Sequence, residues 1–248
     1  MLKDCEVKLN MVLNNQKIGI IGGAGVAATN KLLELIEVKL TQNGAYRDCH
    51  HPEMIIWQAT QAPSRSMFLE GKGESFIPEY ISIAKSLKQL GVNKIAMCCN
   101  TAHFAIDTIE KEADIKIINL VEKCVQIAKE SGAKKVGLIV SDGCLKGEVY
   151  QKYFRKIFPT AEIIYPDNEY QKMVTTGICN IKNIHRFDNI DSNESPQKIF
   201  GLVQKHLYDK GAEIIIIGCT DIRAGYYEKD NIDSLEVLTD IIIKETRG

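Results

Sequence analysis

The sequence predicts an α/β fold of two similar domains, each a mostly parallel sheet flanked by helices. Short β-branched runs alternate with amphipathic runs of helical length, the pattern of strands joined by crossover helices. The β-branched runs are nearly continuous in apolar residues, as strands covered on both faces require. The pattern also occurs twice. Lys17-Ile-Gly-Ile-Ile is echoed by Lys135-Val-Gly-Leu-Ile, and Gly91-Val-Asn-Lys-Ile-Ala-Met-Cys-Cys99 by Gly211-Ala-Glu-Ile-Ile-Ile-Ile-Gly-Cys219. Gly19 precedes Cys99 by 80 positions and Gly137 precedes Cys219 by 82.

Taken in order, residues 1–15 carry charges and no apolar segment of the secretory kind, and are expected to be an extension outside the core, with Met11 a second candidate start. Strand 17–21 leads through a glycine-rich turn into a helix near 27–41. Strand 53–58 precedes a helix at 77–90, and strand 94–98 a helix at 105–112. Strand 116–119 runs into a helix at 120–131. The second copy opens with strand 135–140 and a helix at 147–158, then strand 162–165 and a helix at 171–181. After a polar loop at 188–195 come a helix at 196–210, strand 213–217, and a last helix at 234–246 following Asp233-Ser234. The first unit is expected to comprise 16–118 with 225–248, the second 119–224.

Composition narrows the function. The 248 residues are 45% apolar with a formal charge of −1, enough chain for two small cores. Near-neutral charge and 7% aromatics argue against a nucleic-acid partner. No apolar stretch reaches the roughly 18 residues of a membrane span. Eight cysteines without framework spacing read as reduced thiols of a cytoplasmic protein.

Gly22-Gly-Ala-Gly-Val-Ala-Ala28 fits the loose dinucleotide pattern and raises a nicotinamide-dependent oxidoreductase. That chemistry needs an acidic residue ending the second strand, where Trp57-Gln-Ala-Thr60 stands. The glycines are better suited to letting helix N-terminal amides approach a small anion. Cys99 and Cys219 each precede residues that favour helix caps, Asn100-Thr101 and Thr220-Asp221. Such positions are expected to lower a thiol pKa. One such cysteine would read as inert core; two at matched places in a repeat can serve opposite faces of one small substrate, as proton exchange demands. Cys98 is expected to point away, into the core. Cys98, Cys99, His103 and Cys219 do not have the spacing of a zinc site, so no metal is expected. His103 is expected on a helix near the site mouth. No lysine stands in a pyridoxal phosphate motif, and no cofactor is expected.

Cys99-Asn-Thr-Ala-His103 and Gly218-Cys-Thr220 resemble the two signature segments of the aspartate/glutamate racemase family. The glycine loop, Ala62-Pro-Ser-Arg-Ser66 and Asp167-Asn-Glu-Tyr-Gln-Lys172 resemble its other motifs, so the resemblance spans Lys17 to the C-terminus. It implies a pyridoxal-independent racemase, often dimeric, with the active site between two α/β domains. The resemblance makes Cys99 and Cys219 the acid/base pair. It gives Asn100, Thr101 and Thr220, with the Gly23 loop, to the substrate's α-carboxylate, and Arg65 and Lys172 to the side-chain carboxylate of aspartate or glutamate. The chain departs from the family at Ala24, Val26, Ser64 and Asp221, where Met, Pro, Asp and Glu are usual. These positions adjoin the pocket and leave maleate, hydantoin or arylmalonate chemistry, and a non-catalytic binding role, as alternatives.

Overall fold

The computed structural model describes residues 16–247; the expected extension 1–15 lies outside the described residues. Its first half contains β1 (Ile18–Gly22), α1 (Val26–Gln42), β2 (Met54–Gln58), α2 (Arg65–Leu69), α3 (Ile77–Gln89), β3 (Lys94–Met97), α4 (Ile106–Ala113), β4 (Lys116–Ile117) and α5 (Leu120–Glu130). The second contains β5 (Lys135–Ile139), α6 (Asp142–Lys146), α7 (Gln151–Ile157), β6 (Glu162–Ile164), α8 (Asn168–Ile181), α9 (Pro196–Asp209), β7 (Ile214–Ile217), β8 (Ile232–Asp233) and α10 (Ser234–Glu245). Two four-stranded parallel sheets result, ordered β2-β1-β3-β4 and β6-β5-β7-β8.

The repeat extends to single hydrogen bonds. Cys98 N–H donates to the last residue but one of β1, Ile21 O, at 3.0 Å; Gly218 N–H donates to Ile139 O at the end of β5, at 2.8 Å. The order reverses between β1 and β3, and again between β5 and β7. At such a reversal the chains leave the strand ends in opposite directions and open a crevice. Both cysteine segments emerge there.

Alternation along the central strands divides the core into three parts. Ile18 and Ile20 of β1, with Val136 and Leu138 of β5, face a shared inner core. That core is filled by α1, α5, α7 and α10, including Leu32, Val125, Phe154 and Leu238. Ile21 faces an outer core under α3 and α4, and Ile139 a second one under α8 and α9. Each fully buried aliphatic side chain contributes about 1.5–3 kcal/mol, which makes the inner core the main tie between the halves.

Three elements depart from expectation. β8 pairs with β7, so residues 232–233 complete the second sheet, although the sequence grouped 225–248 with the first unit. The helix that follows, α10, rests on α1, where Lys39 and Asp240 pair at 2.7 Å, and on α5. Ile232 is the one apolar residue between Glu228 and Ser234, so no apolar run marks the strand. The five-residue helices α2 and α6 also escaped notice, though Ser64 Oγ and Ser141 Oγ cap them by accepting from Met67 N–H and Cys144 N–H. No helix of the described residues is long and apolar enough to cross a membrane.

His103 is not at the site mouth; it is fully buried. Nδ1 lies 2.9 Å from Cys99 O, and Nε2 lies 3.2 Å from Ile118 O and 3.3 Å from the Leu120 peptide nitrogen. The ring thus pins the end of the Cys99 segment to the start of α5. Burial pushes its pKa from 6.5 down to about 4. Between those values the unfolded chain binds the proton that the folded one excludes, so stability falls as pH falls from 6.5 towards 4. By pH 4 the loss reaches up to about 3 kcal/mol. Urea midpoints should therefore show the wild type more stable than His103→Gln at pH 7.5, with the gap narrowing on acidification; a gap independent of pH would rule out this burial effect.

Candidate active site

Cys99 follows β3 at the margin of the first outer core, and Cys219 follows β7 at the margin of the second. Both line one cavity of about 240 Å³, with Arg65, Asn100, Thr101 and Thr220. The remaining walls come from Ala24, the Ser64–Glu70 segment, Ser141-Asp142, one face of α8, and Asp221. Thr220 Oγ1 donates to Cys98 O at 3.2 Å and locks one cysteine segment to the other.

The glycine loop works by close approach. A Cβ at Gly25 would lie 1.7 Å from Asp221 Oδ1, so only glycine leaves this carboxylate its seat. Gly23 has φ +73°, and a Cβ there would meet the Ala59 amide at 2.8 Å. Its place is the turn; Ala24, rather than Gly23, lines the cavity.

The residues expected to hold an α-carboxylate reach the cavity with their side chains committed. Asn100 accepts from Tyr150 Oη at 2.7 Å and donates to Ser234 Oγ at 2.9 Å. Thr101 Oγ1 lies 3.1 Å from Ser141 Oγ. Neither turn after a cysteine carries a side-chain cap, and each is a five-residue 3₁₀ segment, Thr101–Ala105 and Thr220–Ala224. The groups these turns can offer are their first backbone amides, which 3₁₀ geometry leaves without partners inside the turn.

The cations are placed differently from expectation. Arg65 enters the cavity, its guanidinium donating to Ala24 O at 3.0 Å and Pro63 O at 3.1 Å. Burial opposes its charge, but hydrogen bonding and charge interaction with Cys99, together with Tyr80 and Asp221, hold its pKa above the ordinary value. Lys172 is exposed and outside the lining. Thr175, Ile178 and Cys179 of α8 and Lys182 at its C-terminus line the cavity, whereas Lys172 stands ten residues before Lys182, about 15 Å back along the helix axis. Lys182 takes the inward place, 3.0 Å from Asp221 Oδ2.

The expected lowering of both thiol pKa values is not what Cys219 shows. Burial and the charge of Asp221 push it up to about 12, outweighing Lys182 and the Asp221 amide, which act in the other direction. Cys219 therefore carries its proton at neutral pH. Cys98 is fully buried and pushed up further by the same desolvation, in line with a core role.

Comparison with known proteins adds four findings. The family model described as Asp/Glu/Hydantoin racemase matches residues 18–238. The Broad specificity amino-acid racemase RacX of Bacillus subtilis (strain 168) is 25% identical over 208 residues, 84% of this chain and 86% of that protein. Picrophilus torridus aspartate racemase matches with a TM-score of 0.78 at 23% identity, covering 94% of this chain and 95% of that one. An aspartate racemase homologue from Pyrococcus horikoshii OT3 matches with a TM-score of 0.70 at 22% identity, covering 93% and 99%. The structural matches speak for the fold.

Because alkylation requires the thiolate, iodoacetamide at pH 8 should modify exposed Cys49 and Cys179 while leaving Cys219 intact in peptide maps. Alkylation of Cys219 as fast as Cys179 would contradict its protonated state.

Proposed function

Since the chain belongs to the Asp/Glu/hydantoin racemase family, we propose that it racemises an α-amino acid, aspartate first and glutamate second, by proton transfer between Cys99 and Cys219 without a cofactor. The observation that carries this reading is the meeting of two thiols, from equivalent strand ends of two repeated sheets, in one cavity.

The chemistry follows from the two environments. Cys99, with the Arg65 guanidinium against its sulfur, takes the α-proton from one face; the C–H bond breaks and an S–H bond forms. The electron pair left on the α-carbon is delocalised into the adjoining carboxylate, which the first amides of both turns neutralise. Cys219, protonated at neutral pH, returns a proton from the opposite face. Each such group contributes about 10²–10⁴-fold. Arg65 and Lys182 supply the cations for a distal carboxylate, Lys182 in the role the sequence gave to Lys172. We expect the working form to be a cytoplasmic homodimer, as the family resemblance suggests.

A second reading has its own support. Asp221 already neutralises much of the charge of Lys182, so uncharged side chains could be accepted there, as in a racemase of broad specificity.

Incubating L- and D-amino acids with the protein in deuterated buffer tests both readings. Aspartate or glutamate alone gaining α-deuterium supports the first, many amino acids the second, and none refutes both. With the active amino acid, Cys99→Ala and Cys219→Ala should each lose at least about 10²-fold in racemisation. Each should still exchange the α-proton of one enantiomer, and opposite ones. Cys219→Ala with near-normal racemisation would sink the two-base assignment.

Lys182→Met should reduce aspartate turnover about tenfold or more, the loss of one charge-assisted contact, whereas Lys172→Met should leave kcat/KM within about twofold. The reverse outcome would restore Lys172 to the site.

A further inference from the structure

Three carboxylates line the cavity, and two of them have a lysine partner. Glu70 pairs with Lys72 at 2.8 Å, and Asp221 with Lys182 at 3.0 Å. Asp142 is held by neutral donors alone: Gln171 Nε2 donates to Oδ1 and Thr175 Oγ1 to Oδ2, both at 2.8 Å. Among the described residues it makes no ion pair, and Lys72, the cation that feels its charge, is bonded to Glu70. Arg65 is the matching case of opposite sign, its guanidinium bonded to the carbonyls of Ala24 and Pro63 and to the Cys99 sulfur. Asp142 is therefore the one cavity carboxylate without a paired lysine, and Arg65 is a cavity cation bonded to no carboxylate, a combination that suits a zwitterion.

Local structure fixes Asp142 firmly. Ser141 caps α6 and touches Thr101 across the cavity, so Asp142, the first residue of α6, stands beside the turn that follows Cys99. Gln171 and Thr175 set the plane of its carboxylate without cancelling its charge. A carboxylate in a partly desolvated wall gains most from a cation that can both donate and neutralise.

We infer that Asp142 binds the substrate's α-ammonium group and so restricts this site to α-amino acids over dicarboxylates and ring amides that lack a protonated amine. The inference rests on the amino-acid reading proposed above. Dimensions agree with it. From Thr175, which holds Asp142, to Lys182 is about 10 Å along α8. An ammonium hydrogen-bonded at one end and a distal carboxylate at the other, separated by three or four bonds of about 1.5 Å, span roughly 9 Å. Keeping the amine protonated also keeps a positive charge next to the carbon that loses its proton, which favours that loss.

The test measures binding of paired ligands to wild type, Asp142→Asn and Asp142→Glu by calorimetry: L-aspartate with succinate, and L-alanine with propionate. Asp142→Asn should weaken the amine-bearing member of each pair by about 10- to 100-fold and leave the amine-free member unchanged or tighter, since an anion has been removed. Asp142→Glu, which keeps the charge, should recover part of the discrimination. Equal loss for both members of a pair in both variants, or no loss for either, overturns the role of Asp142 while leaving amino-acid binding by the wild type intact. Wild-type protein that binds none of the amino acids overturns the amino-acid reading, and this inference with it.

Discussion

The inner apolar core is the constraint on which the site depends. The proposed proton exchange across one carbon needs two thiols fixed on opposite sides of it within a few ångströms. Each thiol here belongs to its own sheet, and the sheets share no strand. What sets one against the other is the burial of α1, α5, α7 and α10 between them, where residues of β1 and β5 enter the same cluster. Polar locks then tighten the arrangement locally: Thr220 on Cys98 O, Asn100 on Tyr150 and Ser234, and His103 on Cys99 O. These bonds consume side chains that would otherwise be free for a ligand, and the cysteine segments gain rigidity in exchange.

The electrostatics of the cavity are asymmetric although the fold is nearly symmetric. Cys99 faces Arg65, while Cys219 sits beside Asp221 and keeps its proton. In the proposed exchange one sulfur gives a proton while the other takes one, and the two sulfurs meet unequal surroundings. Lys182 partly offsets Asp221 at the second sulfur, so the difference is one of degree and the roles can reverse as the proton crosses.

The repeat, strands β1 to β7 and both cysteines were legible because each rests on local sequence: apolar runs of strand length, and glycines at fixed distances from the thiols. Arg65 was legible through its motif. Lys182 was not, because choosing between it and Lys172 requires knowing which end of α8 borders the cavity, and contacts with distant segments decide that. No apolar run marks β8, and α2 and α6 are shorter than the period that would reveal them. The state of Cys219 depends on how closely other segments pack around it, which no local pattern records. The same holds for His103, whose partners Cys99 O and Leu120 N–H lie on two different segments.

The seating of α10 on α1 has a consequence for how the molecule is made. The inner face of the first half is covered by α10, synthesised about two hundred residues later, with Lys39 and Asp240 paired across it. A nascent chain leaving the ribosome can form the outer core under α3 and α4, yet it must hold an apolar face of α1 open until α10 emerges. Such non-local closure slows folding and exposes intermediates to aggregation. The two halves, alike as they are, fold as one interlocked unit, and loss of the C-terminal helix would uncover the half of the protein that was translated first.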